Sequence, residues 1–140
     1  MERIVIAGGR PLNGKVRIGG AKNAALPILG ATLLTEAPCL IREIPNLTDV
    51  GVMRNILKTL GAKVEVVGDL TTVEAATLTS LTVPEHLMRE MRSSIIVMGA
   101  LLTRFGTVKV SQPGGCDIGS RPIDLHIKGL KELGAEISEK

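Results

Sequence analysis

The apolar residues of this chain recur with two periods, and each period marks an element. Ala24 to Leu34 reads as an apolar helix, with Pro27 tolerable only near its start because proline lacks an N–H. Cys39-Leu40-Ile41-Arg42-Glu43-Ile44 reads as a strand ended by Pro45-Asn46. Met53, Ile56, Leu57 and Leu60 then fall at the spacings of one helical face. Thr48 or Asp49 can cap that helix, and Gly61 can end it because glycine accepts a left-handed conformation. Val64-Glu65-Val66 alternates as a strand, and Thr72 to Leu78 predicts one more. A long helix is expected from Glu85 to Thr103 with Pro84 near its first turn, followed by a strand over Thr107–Ser111. Pro122 can open a last helix whose face includes Ile123, Ile127 and Leu130, ending at Gly134. At the N-terminus, Arg3–Ala7 and Val16–Ile18 read as strands flanking a glycine-rich turn.

Part of this pattern is used twice. Leu57-Lys58-Thr59-Leu60-Gly61-Ala62-Lys63-Val64 returns 73 residues later as Leu130-Lys131-Glu132-Leu133-Gly134-Ala135-Glu136-Ile137. Leu33-Leu34-Thr35 returns 68 residues later as Leu101-Leu102-Thr103, and Pro45 matches Pro113 at the same offset. The two copies are one helix–strand–helix–strand unit repeated. The second is longer by the difference of the offsets, five residues, in or beside Gly114-Gly115-Cys116-Asp117-Ile118-Gly119-Ser120-Arg121. Loops tolerate insertion and packed elements do not, so this loop is either a functional expansion or neutral drift.

Composition narrows the class. A chain of 140 residues with 44% hydrophobic and 22% charged residues can build a core and is not of disordered type. Phe105 is the one aromatic residue, so the stacking rings of a single-strand or RNA-binding surface are missing. The net charge of +3 is spread along the chain, which suits small anionic ligands better than duplex binding. Glu2 and Arg3 precede only a short apolar run, unlike a signal peptide, and no stretch has the length of a membrane span. These features point to the cytoplasm, where Cys39 and Cys116 stay reduced.

Few residues can carry chemistry. Cys116 lies between glycines that free the backbone and leave the sulfur unshielded, with Arg121 five residues on. From the loop alone it is either a reactive thiol or a bystander. Cys39, in an apolar strand, reads as an inert core residue. Gly19-Gly20-Ala21-Lys22-Asn23 places Lys22 at a helix N-terminus, where unpaired N–H groups and a partial positive charge favour a phosphate or carboxylate. A solvated lysine is the plainer alternative. Arg121 can grip an anion with paired donors, and Asp124 falls in a first turn where a carboxylate suits the helix dipole. His126 reads as a packed histidine. Arg92, mid-helix among apolar residues, either points into a cleft or lies on a solvated face. Neither the cysteines and histidines nor the paired glycines have metal-site, Walker or dinucleotide spacing.

Three segments together, Gly20-Ala21-Lys22-Asn23-Ala24-Ala25-Leu26-Pro27, Met91-Arg92-Ser93-Ser94 and Pro113 through Ile127, resemble the UDP-N-acetylglucosamine enolpyruvyl transferase family in order and register. The cysteine loop with its Arg-Pro-Ile-Asp-Leu-His continuation is the most specific of them. The shikimate-pathway enolpyruvyl transferase shares the fold without that loop and is the poorer match. The resemblance implies an α/β fold of α+β type, an inside-out α/β barrel of repeated βαβαββ-like units, incomplete in this chain. Residues 1–21 would be strands belonging to a second domain, and residues 22–140 two repeat units of the first. The implied reaction moves the enolpyruvyl group of phosphoenolpyruvate to the 3′-hydroxyl of UDP-N-acetylglucosamine, with no metal or organic cofactor. Lys22 and Asn23 would contact phosphoenolpyruvate. Arg92, Arg121, Pro122, Ile123, Asp124 and Leu125 would hold the UDP-sugar, with Arg121 also facing phosphoenolpyruvate. Cys116 would be the proton donor to the methylene carbon and the thiol alkylated by fosfomycin.

Members of that family are about three times longer, so the chain alone is expected to have little or no transferase activity and to need the C-terminal regions of the same enzyme. Its last residues, Glu136 to Lys140, read as a strand left without a covering element, an arrangement that favours self-association. A non-catalytic binding or assembly module built on the same repeat is the rival reading.

Overall fold

The structure is a computed structural model and describes residues 3–111 and 122–138. Its elements are α1 (Lys22–Ala31), β1 (Cys39–Arg42), α2 (Thr48–Thr59), β2 (Lys63–Val67), β3 (Leu70–Glu74), α3 (Glu85–Glu90), α4 (Ile96–Phe105) and α5 (Asp124–Glu132). A 3₁₀ turn over Thr32–Leu34 follows α1, and another over Arg92–Ile95 leads into α4.

The first unit matches the expected helix–strand–helix–strand order. Ala25, Leu26, Leu29 and Leu33 bury one side of α1 and its 3₁₀ extension, leaving Pro27 on the outside. Pro27 lies in the interior of α1, where its missing N–H costs one helical hydrogen bond. Met53, Ile56, Leu57 and Leu60 are all fully buried, as their spacing predicts. The chain then turns at Gly61, whose φ of 105° supplies the left-handed step. Antiparallel strands in the order β1–β3–β2 form the sheet, with β2 and β3 joined by a hairpin in which Val67 faces Leu70. The expected strand over 72–78 is therefore shifted to Leu70–Glu74, because Gly68 with its φ of 59° turns the chain early. Val73, on the central strand, is fully buried in the core.

The second unit departs from expectation. The helix expected from Glu85 to Thr103 is broken at Met91, which is extended at φ −145° and ψ 128°. The buried Ser94 hydroxyl donates to the Met88 carbonyl at 3.1 Å, competing with the backbone for that acceptor. The break also lets Met91 itself reach the core. Beyond it, α4 buries Val97, Met98, Ala100 and Leu101 and crosses α1 so closely that a β-carbon at Gly30 would touch Ile96.

The expected strand over 107–111 is reduced to a single parallel bridge between Thr82 and Lys109. The Val83 N–H bonds the Lys109 carbonyl at 3.1 Å, and the next residue facing that segment, Glu85, already begins α3, so the backbone leaves the ladder there. The segments Arg3–Ala7 and Val16–Ile18 form no strand and are exposed, since no neighbour among the described residues offers them a ladder. No strand forms over 135–138 either. Among the described residues, no helix is long and apolar enough to cross a membrane.

Candidate functional site

Lys22 is the first residue of α1, preceded by Ala21, whose side chain cannot cap the helix. A close backbone approach sets that position. A β-carbon at Gly20 would overlap the Glu43 carbonyl oxygen and crowd Pro45, so only glycine lets the lead-in lie against the turn after β1. Glu43 holds a left-handed φ of 58° there and pairs with Arg17. A shallow groove of about 550 Å³ runs alongside, lined by Arg17, Gly19, Gly20, Glu43, Ile44, Pro45 and Asp69. It borders the approach to α1, and among the described residues its lining includes none of the site residues expected from the sequence.

The Lys22 ammonium lies 2.7 Å from Asp49 Oδ2, and both side chains keep substantial exposure. This contact brings the first turns of α1 and α2 together. It also corrects the capping assignment: Leu47 precedes α2 and no side chain caps it, while the Asp49 carboxylate turns to Lys22. Asn23 is exposed beside Lys22.

Arg92 does not lie mid-helix. It opens the 3₁₀ turn after the break at Met91 and is exposed. That turn enters α4 at Ile96, which packs against Gly30, about 12 Å along α1 from Lys22 at 1.5 Å per residue. Pro122 is exposed, and α5 begins two residues later, at Asp124. Ile123 packs against the core, while Asp124 and Leu125 are exposed. His126 is exposed, not packed, because the inward positions of α5 are Ile127 and Leu130. Cys116 and Arg121 lie outside the described residues. Cys39 is half-buried at the edge of the sheet, with Sγ 3.8 Å from the Ala37 carbonyl, so it is less enclosed than a core cysteine. Among the described residues, no three His, Cys, Asp or Glu side chains gather as a metal site.

Sequence reasoning passed over Arg104. Its guanidinium donates to the carbonyls of Leu33 at 2.9 Å, Thr35 at 3.2 Å and Ala75 at 2.7 Å through Nη1, and to that of Ala76 at 3.2 Å through Nη2. It also pairs with Glu36 at 3.5 Å and lies 4.8 Å from the centre of the Phe105 ring. The available signal was a lone arginine in the last turn of an apolar helix, next to the one aromatic residue.

The family model for EPSP synthase (3-phosphoshikimate 1-carboxyvinyltransferase) matches residues 6–140, and the chain belongs to that family. Its α/β fold is similar to part of the enolpyruvyl transferase NikO from Streptomyces tendae, with a TM-score of 0.62 and 27% identity over 72% of this chain and 24% of that one. Within the family it is similar to the UDP-N-acetylglucosamine 1-carboxyvinyltransferases. It is 49% identical over 140 residues to UDP-N-acetylglucosamine 1-carboxyvinyltransferase 1 of Carboxydothermus hydrogenoformans, covering all of this chain and 33% of the relative. It is 52% identical over 137 residues to the enzyme of that name from Methylacidiphilum infernorum, covering 98% and 32%. The chain thus spans about a third of the length of these relatives.

Proposed function

We propose that this chain contributes to an enzyme that transfers the enolpyruvyl group of phosphoenolpyruvate to the 3′-hydroxyl of UDP-N-acetylglucosamine, a step of peptidoglycan synthesis in the cytoplasm. The observation that carries this reading is identity near one half, over essentially the whole chain, with relatives named for that reaction. In this reading Cys116 donates a proton to the methylene carbon of phosphoenolpyruvate. Positive character builds at the neighbouring carbon, and the sugar hydroxyl attacks there to form the new C–O bond. A base from elsewhere in the enzyme takes the hydroxyl proton. Loss of a proton from the resulting methyl group and departure of phosphate restore the double bond.

Two polyanionic substrates call for cationic and polar contacts. Lys22 and Asn23, at the head of α1, are assigned to phosphoenolpyruvate. Arg92, Arg121, Pro122, Ile123, Asp124 and Leu125 are assigned to the UDP-sugar. Residues 22–140 are read as two repeat units of an inside-out α/β barrel completed by further units. Residues 1–21, with the apolar run Ile4–Ala7 and the pair Val16 and Ile18, are read as part of a second domain.

The test is a chimera in which this chain replaces the matching third of the Carboxydothermus hydrogenoformans relative. It is expected to release phosphate from phosphoenolpyruvate only when UDP-N-acetylglucosamine is present, and Cys116→Ala is expected to lower that rate by about 10²–10⁴-fold. Fosfomycin is expected to alkylate Cys116 and not Cys39, as read by mass spectrometry. A folded chimera that releases no phosphate sinks the reading.

A further inference from the structure

Lys22 stands at an electrostatically poor place. As the first residue of α1 it puts an ammonium beside the helix's own partial positive charge. Its side chain is long, rich in rotamers and 45% exposed, so nothing about the helix start alone would hold it still. Asp49 offers the ammonium an anionic partner. Its carboxylate belongs to the first turn of α2, where a negative charge is favourable, and it meets the ammonium at 2.7 Å. An ion pair this exposed adds little to folding stability, so its consequence is sought in how it restrains the ammonium.

We propose that Asp49 is a positioning residue, holding the Lys22 ammonium at the head of α1 for the phosphate or carboxylate of phosphoenolpyruvate. The proposal rests on the reading that Lys22 contacts that substrate. Asp49 has two opposing effects on an incoming anion. Its charge repels the anion, and its grip on Lys22 removes part of the cost of ordering that side chain on binding. Lys22 and Asp49 together carry no net charge, so repulsion from the pair is weak and the ordering effect dominates. The two effects predict opposite signs for Asp49→Asn: tighter binding if repulsion governs, weaker binding if positioning governs.

The experiment is titration of the 140-residue chain with phosphoenolpyruvate, followed by NMR, for wild type and for K22A, D49N, D49E and the K22A/D49N double variant. Asp49→Asn is expected to weaken binding about two- to tenfold, up to the worth of ordering one side chain. Asp49→Glu restores most of the loss, and Asp49→Asn adds nothing once Lys22 is gone. Without ligand, carbon relaxation at Lys22 Cε shows a more mobile side chain in Asp49→Asn at an unchanged thermal midpoint. Equal or tighter binding by Asp49→Asn, with binding still lost in Lys22→Ala, overturns the role of Asp49 and leaves that of Lys22 standing. Wild type that does not bind, or Lys22→Ala that binds as well as wild type, overturns both.

Discussion

The Arg104 side chain is 12% exposed, and its donors meet carbonyls from two separate stretches, one after α1 and one after β3. Leu33 lies in the 3₁₀ turn and Thr35, Ala75 and Ala76 in irregular backbone, so no sheet ladder satisfies these carbonyls, and a guanidinium suits the task because its fork offers several donors at once. Arg104→Met keeps much of the apolar stem and removes every donor. It is expected to cost about 2 kcal/mol, since partly buried carbonyls lose their partners. Urea denaturation would show the loss, and Arg104→Lys should recover less than half of it, because one ammonium cannot span all the acceptors. Lys22 and Asp49 are a contrasting pair at the same scale. Their contact is exposed, so its consequence is sought in ligand binding and not in stability.

At the scale of elements, the repeat in the sequence returns as one helix ending built twice. After α2, Gly61 N–H bonds Lys58 O at 3.0 Å and Ala62 N–H bonds Leu57 O at 3.0 Å. After α5, Gly134 N–H bonds Lys131 O at 2.9 Å and Ala135 N–H bonds Leu130 O at 2.9 Å. This is the Schellman arrangement in both copies, with a left-handed glycine at φ 105° and 92°. The surroundings differ. A β-carbon at Gly61 would stand 2.6 Å from the Thr79 amide nitrogen, whereas Gly134 faces open space. Gly134→Ala is therefore expected to cost about 1–2 kcal/mol, the penalty of the left-handed backbone alone. Gly61→Ala should cost clearly more, because the Thr79 amide that bonds Leu60 O must also move. Equal thermal shifts for the two variants would contradict this account.

Across the whole molecule, equivalent positions of the repeat meet opposite environments. Leu60 is fully buried, while Leu133, its counterpart, is 85% exposed. Leu60→Ala is expected to cost about 2–5 kcal/mol by leaving a cavity, and Leu133→Ala to stay within about 0.5 kcal/mol of wild type, both read by denaturant titration. The face of α2 and both glycine stops were legible because helical periodicity and left-handed glycine act within a few residues. So were the motifs around Lys22, Arg92 and Cys116, which carry the family resemblance. The break at Met91 was not legible, since it depends on Ser94 taking the Met88 carbonyl and on Met91 finding the core. Nor was the partner of Asp49, which lies 27 residues away along the chain.

The sequence by itself determined which residues can turn, cap and bury, and it carried the family resemblance that the comparisons support. The tertiary structure decided which copy of a repeated helix enters the core, where an apolar helix breaks and which carboxylate meets Lys22. Local conformation depends on near neighbours in the chain, whereas burial and ion pairing depend on neighbours that only folding brings together.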